Sequence, residues 1–189
     1  MTEFKNKIAL VTGAGAGIGR ATAVALSVKG AKVIVTDFNE TSGNETVTKI
    51  NSSGGKAIFY KLDVSINEEV KSVINTIYKN EGSIDFAVNN AGVGGSFAGI
   101  HDLDVNDWNN TININLTGVF SCMQSQIKCM LKKGFGRIVN VASMAGIKGV
   151  GGGSLKKYFE QLTTEEENYL FEKFDSDFKM FGYSRDDEF

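Results

Sequence analysis

Residues Thr12 to Gly19 read Thr-Gly-Ala-Gly-Ala-Gly-Ile-Gly, directly after the apolar run Ile8-Ala9-Leu10-Val11 and directly before a helical pattern. A strand, a glycine turn and a helix in that order make a cradle for phosphate. Glycines let the backbone turn tightly and come close to a pyrophosphate, while the unpaired N–H groups and positive dipole end of the following helix face its charge. A glycine-rich turn that holds no ligand is the plain alternative.

The spacing narrows the choice. The pattern G-x-G-x-x-G fails from Gly13, because Ile18 stands where the third glycine belongs, and from Gly15, because Arg20 does. The pattern G-x-x-x-G-x-G fits, through Gly13, Gly17 and Gly19. A phosphate loop of the NTPase kind needs a Gly-Lys-Ser/Thr ending, and Gly19-Arg20-Ala21 does not supply it. Val33-Ile34-Val35-Thr36 reads as a second buried strand with Asp37 at its end, eighteen positions after Gly19. A carboxylate there accepts hydrogen bonds from the adenosine ribose hydroxyls and repels a 2'-phosphate, which points to NAD in preference to NADP. Ala16 and Phe38 offer no basic side chain to such a phosphate, and sequence does not place Arg20 or Lys61. A turn begun by Asp37 with Asn39 is the plain alternative.

Through this glycine pattern and the motifs that follow it, the chain resembles the short-chain dehydrogenase/reductase family. Leu62-Asp63-Val64 follows a third strand, in the family's adenine-contacting position. Asn89-Asn90-Ala91-Gly92 follows a fourth strand, Ile84 to Val88, and matches the family's second signature. Asn115, in Asn-Leu-Thr-Gly-Val-Phe, matches its catalytic asparagine, and Ser143, at the end of a fifth strand, its catalytic serine. The resemblance covers Lys5 to about Ser154. It implies a nicotinamide dinucleotide held by Gly13, Gly17, Ile18, Gly19, Asp37, Asp63, Val64, Asn90, Ala91 and Gly92. It also implies hydride transfer between NAD(H) and a small carbonyl or alcohol, with Ser143 polarising the oxygen and Asn115 supporting a proton relay.

Periodicity leads to the same fold. Val70, Val73, Ile74, Ile77 and Tyr78 mark a helix preceded by Ser65-Ile66-Asn67-Glu68, which has capping-box form. A longer helix, 111–132, carries Ile112, Leu116, Val119, Phe120, Met123, Ile127 and Met130. Apolar runs at 8–11, 33–35, 57–60, 84–88 and 137–141 alternate with helices, so the expectation is an α/β protein with a Rossmann-type doubly wound parallel sheet. Ligands then bind at the carboxyl ends of the strands, where every motif above falls.

At 189 residues and 42% apolar, the chain can bury one sizeable core. It has no apolar stretch long enough for a bilayer span and its first residues lack signal-peptide order. A net charge of -2 without a basic cluster gives no reason to invoke nucleic acid. Cys122 and Cys129, seven apart on one helix, are read as reduced thiols with nothing nearby to complete a metal site. His101, the single histidine, is read as a loop residue. The cytoplasm is the default location.

The pattern changes where family members carry their acid/base. A Tyr about a dozen residues beyond the serine and a Lys four positions later do that work in the family. Here Tyr158 stands fifteen beyond Ser143 and is followed at the fourth position by Leu162, with Lys156 and Lys157 on its other side. The Tyr-x-x-x-Lys pair is therefore expected to be missing, and the enzyme to be inactive. Residues 155–189 also differ in texture: nine of the chain's nineteen aromatics fall there, with ten acids against five bases. That break sets a boundary between a 1–154 dinucleotide-binding domain, truncated after its fifth strand, and an acidic tail of different origin. Thr164 to Phe181 is amphipathic, so a C-terminal helix is expected.

The run from Leu170 to Ser184, Leu-x-x-x-Phe-x-x-Asp-Phe-x-x-Phe-x-Tyr-Ser, resembles the carboxyl end of Golgi carbohydrate sulfotransferases. It carries no sulfotransferase activity, because that family's phosphosulfate-binding segments have no counterpart here. An ordinary terminal helix and a chimaeric reading frame both fit this tail. Without further strands, Ile138, Val139 and Val141 would stand on a sheet edge, a template for association. The family also pairs into homo-oligomers through the helix that holds Asn115.

Overall fold

The computed structural model describes residues 3–96 and 98–143. Five strands, β1 (Ile8–Thr12), β2 (Lys32–Asp37), β3 (Lys56–Lys61), β4 (Phe86–Asn89) and β5 (Arg137–Asn140), form one sheet in the order β3-β2-β1-β4-β5, with every pairing parallel. Helices α1 (Gly17–Val28), α2 (Glu40–Ser52), α3 (Asn67–Glu81), α4 (Val105–Ile112) and α5 (Val119–Lys133) connect them, a π-helical turn Asn113–Gly118 joining α4 to α5. The expected doubly wound parallel sheet is present. Chain contacts group Met1–Val141 as one compact unit and Ala142–Phe189 as another. The expected C-terminal helix, and the boundary at 154, lie outside the described residues.

Parallel strands covered on both faces read as continuous apolar runs, and alternate side chains serve opposite layers. Ala9 and Val11 of β1 join Val33 and Val35 of β2 in a core with Ala23 of α1 and Ile50 of α2. Leu10 and Ile34, one residue out of step, face the other way, into a core with Val70, Ile74 and Ile77 of α3 and Cys122, Cys129 and Met130 of α5. Each fully buried Leu or Ile contributes roughly 1.5–3 kcal/mol, so a one-residue slip in register would be costly on both faces. Burial pushes the Cys122 thiol up to about 12, and both cysteines pack as small apolar residues.

Three expectations shift. The fourth strand begins at Phe86, not Ile84: Ile84 is buried in the core, but Asp85, also fully buried, interrupts the apolar reading with a charge cluster. The capping box at Ser65 does not form. Ile66 is the N-cap of α3, and the Ser65 hydroxyl donates to the Asp63 carboxylate at 2.6 Å instead. The stripe assigned to helix 111–132 splits between two faces. Met130 is buried, whereas Leu116, Phe120 and Ile127 are exposed, so residues that read as one stripe lie on opposite sides of the helical run, which a π-helical turn also interrupts at Asn113–Gly118. The inner face of α5 is partly polar instead: Gln126 and Asn89 exchange amide hydrogen bonds at 2.7 and 3.1 Å, tying α5 to β4.

Asp85 anchors the opposite end of the sheet from the glycine turn. Its carboxylate accepts from Ile8 N–H at 2.9 Å and from Lys133 Nζ at 2.6 Å, with Lys7 Nζ at 3.6 Å. Burial pushes this carboxyl up, but the Lys133 bond, the Ile8 amide and the two lysine charges outweigh it and hold the pKa below the ordinary 3.8. Breaking a buried pair from one side leaves an uncompensated charge. Lys133 is about one-third exposed and Lys7 remains, so Lys133→Met is expected to cost about 2 kcal/mol in urea unfolding at pH 7. A carboxyl depressed in the fold stabilises it fully above its unfolded value and less as pH falls through the folded one. The parent's advantage over the variant is therefore expected to shrink below about pH 3.8. A difference that does not change between pH 7 and pH 3 would contradict this account.

Candidate functional site

In an open parallel sheet the crevice forms where strand order reverses, between strands whose connections leave in opposite directions. Here that point is the β1/β4 pair. A cleft of about 950 Å³ opens at the carboxyl ends of these strands and of β2 and β3, lined by Gly13, Gly17 and Ile18 from the turn, Asp37 at the tip of β2, and Phe38 and Ser42 beyond it. Its remaining wall comes from Leu62, Asp63 and Val64 after β3, Asn90 to Val93 after β4, and Asn110 and Ile114 from the helical run. Nine of the ten residues expected to hold the cofactor line it. The tenth, Gly19, is buried beneath the turn.

The turn is built for close approach. Gly13 and Gly17 hold φ of 61° and 50°, in the left-handed region that side chains rarely adopt. A Cβ on Gly13 would lie 2.8 Å from Ala91 Cα, and one on Gly19 would strike the Gly13 carbonyl and the Asn90 amide. Beside Gly17, by contrast, the space is open. Helix α1 begins there from Ala16 with no side-chain cap and no acid in its first turn, whereas Asn39 and Asp104 cap α2 and α4. The first amides of α1 are therefore left for an anionic ligand. A pyrophosphate fits this cradle.

Asn90 locks the turn to β4. Its side chain donates to the carbonyls of Thr12 and Gly13, both at 3.1 Å, while Thr12 Oγ1 accepts from the Asn90 and Ala91 amides at 3.0 and 3.1 Å. Asp37 is buried, yet it borders the cleft. One carboxylate oxygen accepts from Gly15 N–H at 2.8 Å and the other from Asn39 N–H at 2.9 Å. The turn with Asn39 thus forms together with the cleft-facing placement; the two readings of Asp37 are not exclusive. Asp63 accepts from Ser65 N–H at 2.9 Å and from its hydroxyl.

Asn115 sits in the π-helical turn and exchanges both amide bonds with the backbone of Val93, at 2.8 Å each, fixing the loop after β4. Gly118 lets that turn approach Val64, whose carbonyl would lie 2.9 Å from a Cβ at this position. Ser143 stands three residues beyond β5, exposed, in the second unit. His101 lies on an exposed turn beside Asp102.

Sequence reasoning missed Thr12, Gly15, Arg20 and Ser42. Gly15 falls on a free position of the matching glycine pattern, so the template discarded it, although a Cβ there would lie 2.7 Å from Asp37 Oδ2. Lys61 faces Asp37 across the β2/β3 register and is exposed. The expected absence of any Tyr-x-x-x-Lys also needs correction: Tyr169 and Lys173 have that spacing. They stand twenty-six and thirty residues beyond Ser143 and lie outside the described residues.

A parallel sheet in this order, with an uncapped glycine turn at its reversal and a carboxylate at the tip of the second strand, defines the dinucleotide-binding class of α/β proteins. The family model described as short chain dehydrogenase matches residues 7–155, and the chain belongs to that family. It is 42% identical over 149 residues to a 3beta-hydroxysteroid dehydrogenase of Mediterraneibacter gnavus, covering 79% of this chain and 54% of that one. It is 37% identical over 148 residues to a cyclohexanol dehydrogenase of an Acinetobacter species, covering 78% and 59%. Among solved structures, an NAD+-bound xylitol dehydrogenase superimposes with a TM-score of 0.77 at 37% identity, over 79% of this chain and 58% of that one. The chain thus spans between half and three fifths of the length of these relatives.

Proposed function

We propose that this chain binds NAD(H), in preference to NADP(H), in the cleft between β1 and β4, and that it does so without turning over a carbonyl or alcohol substrate. The observation that carries the cofactor reading is the pairing of an open, uncapped glycine turn with the Asp37 carboxylate at the same cleft. When bound, the reduced cofactor could donate a hydride and the oxidised form accept one. In this reading Gly13, Gly17 and Ile18 would meet its phosphates with Gly19 packed beneath them, Asp37 would meet the adenosine ribose, Asp63 and Val64 the base, and Asn90 to Gly92 the far half.

The inactive reading rests on residues beyond Ser143. Asn115 and Ser143 match the family's catalytic pair, yet the tyrosine nearest the expected distance, Tyr158, lacks a lysine one helical turn on. A chimaeric origin is the second reading. It is favoured by the family match ending at residue 155, where the composition turns acidic and aromatic. The exposed Leu116, Phe120, Ile127 and Leu131 support pairing of two copies through helix 111–132. Among the described residues no helix is long and apolar enough to cross a membrane. The cytoplasm suits two buried free thiols.

Fluorescence titration of the full chain with NADH and NADPH tests the cofactor reading. NADH is expected to bind with the lower Kd, and failure to bind either nucleotide would remove the proposal.

A further inference from the structure

The Gly15 peptide is gripped from both sides. Its N–H donates to Asp37 Oδ2 at 2.8 Å, and its carbonyl accepts from Arg20 Nη2. Arg20 is held in turn by α2: Nε donates to Thr46 Oγ1 at 2.9 Å, and Nη2 reaches the Ser42 carbonyl at 3.3 Å and Glu45 Oε2 at 3.0 Å. Thr46 is fully buried, and its hydroxyl donates to the Ala14 carbonyl at 2.9 Å. Arg20 does not line the cleft, although Asp37 and Ser42 do. The guanidinium therefore works from behind the glycine turn, spanning α1, the turn and the first half of α2.

We propose that Arg20 is a positioning residue for nucleotide choice, holding the Gly15 peptide against Asp37 so that the carboxylate presents its remaining lone pairs to the ribose end of the cleft. This rests on the NAD reading above. Asp37 takes one backbone amide on each oxygen, which fixes the plane of the carboxylate. If the Gly15 amide drifts, one of those constraints goes, and both the ribose contact and the repulsion of a 2'-phosphate lose their geometry. Only a planar fork reaches the Thr46 hydroxyl, the Gly15 carbonyl and the Ser42 carbonyl together; a lysine is a point donor on a flexible stem. Because Glu45 balances the charge at position 20 in either case, Arg20→Lys isolates geometry from net charge.

The experiment compares NADH and NADPH titrations of the full chain for the parent, Arg20→Lys, Thr46→Val and Thr46→Ser, with amide exchange at Gly15 measured in nucleotide-free protein. Arg20→Lys and Thr46→Val are expected to raise the NADH Kd about fivefold, the scale of one hydrogen bond, and to leave the NADPH Kd within about twofold. Gly15 exchange is expected to quicken in both, and Thr46→Ser to behave as the parent. Equal weakening toward both nucleotides, as general loosening would give, overturns the proposal, as does unchanged Gly15 exchange. A parent that binds neither nucleotide, with Gly15 exchange still quickened by Arg20→Lys, overturns the NAD reading while leaving the clamp itself visible.

Discussion

Asp37→Ala is expected to weaken NADH binding by about tenfold to a hundredfold while leaving NADPH binding unchanged or improved, so that the preference between them collapses. A charge-assisted hydrogen bond to a carboxylate stabilises by about 1.5–3 kcal/mol, and the variant removes that acceptor from a buried position. It also removes a negative charge from the place where a 2'-phosphate would arrive, in a partly desolvated site where repulsion is strong. Two features keep the two nucleotides from moving together. Among the described residues no basic side chain lines the cleft to bind the phosphate independently, and the guanidinium of Arg20 is already committed to Gly15, Ser42, Glu45 and Thr46. Parallel titrations on the parent and variant measure the ratio directly, and thermal melts report whether loss of the Gly15 and Asn39 amide contacts has loosened the turn. If both nucleotides weaken by the same factor, Asp37 shapes the turn but does not read the ribose.

Most of the sheet was legible because its signal is simple. Val33-Ile34-Val35 is apolar at every position, as a strand buried on both faces requires, and the structure places all three in two opposed cores. Asp85 defeated the same reasoning at β4: a buried charge looks like an exposed one until Lys133 and Ile8, forty-eight and seventy-seven positions away, are seen to satisfy it. Distance along the chain also hid the Gly15 clamp, since Asp37 and Thr46 are joined to the turn only through folding. The capping box failed for a local reason. Asp63, two residues before Ser65, offers the serine a charged acceptor, and a charge-assisted bond outcompetes a neutral cap. One apparent stripe served two faces because the buried side of α5 includes Ser121, Ser125 and Gln126, polar residues that a count of apolar spacing passes over, while Phe120 and Ile127 face outward.

Turnover is where the largest effect is expected: no oxidation of NADH above background with small ketones, steroids or quinones, and no reduction of NAD with secondary alcohols, between pH 7 and 9. A general acid/base placed beside the reacting oxygen contributes about 10²–10⁴-fold to rate. The family's tyrosine supplies it and its lysine, one helical turn on and so on the same face, holds the tyrosine ready and anchors the ribose. Tyr158 has leucine at that place, and Lys156 and Lys157 precede it, so neither lysine stands at the family's spacing. Losing the anchor as well costs alignment, because a misplaced reactant forfeits part of the advantage of being held. Tyr169 and Lys173 keep the spacing but stand twice as far beyond Ser143 as the family's pair. An assay following absorbance at 340 nm, with Tyr158→Phe and Tyr169→Phe alongside, separates the cases. Absent turnover with intact NADH binding supports a binding protein. Robust oxidation abolished by one of the two substitutions would overturn that reading and assign the proton transfer to that tyrosine, beyond the residues the family model matches.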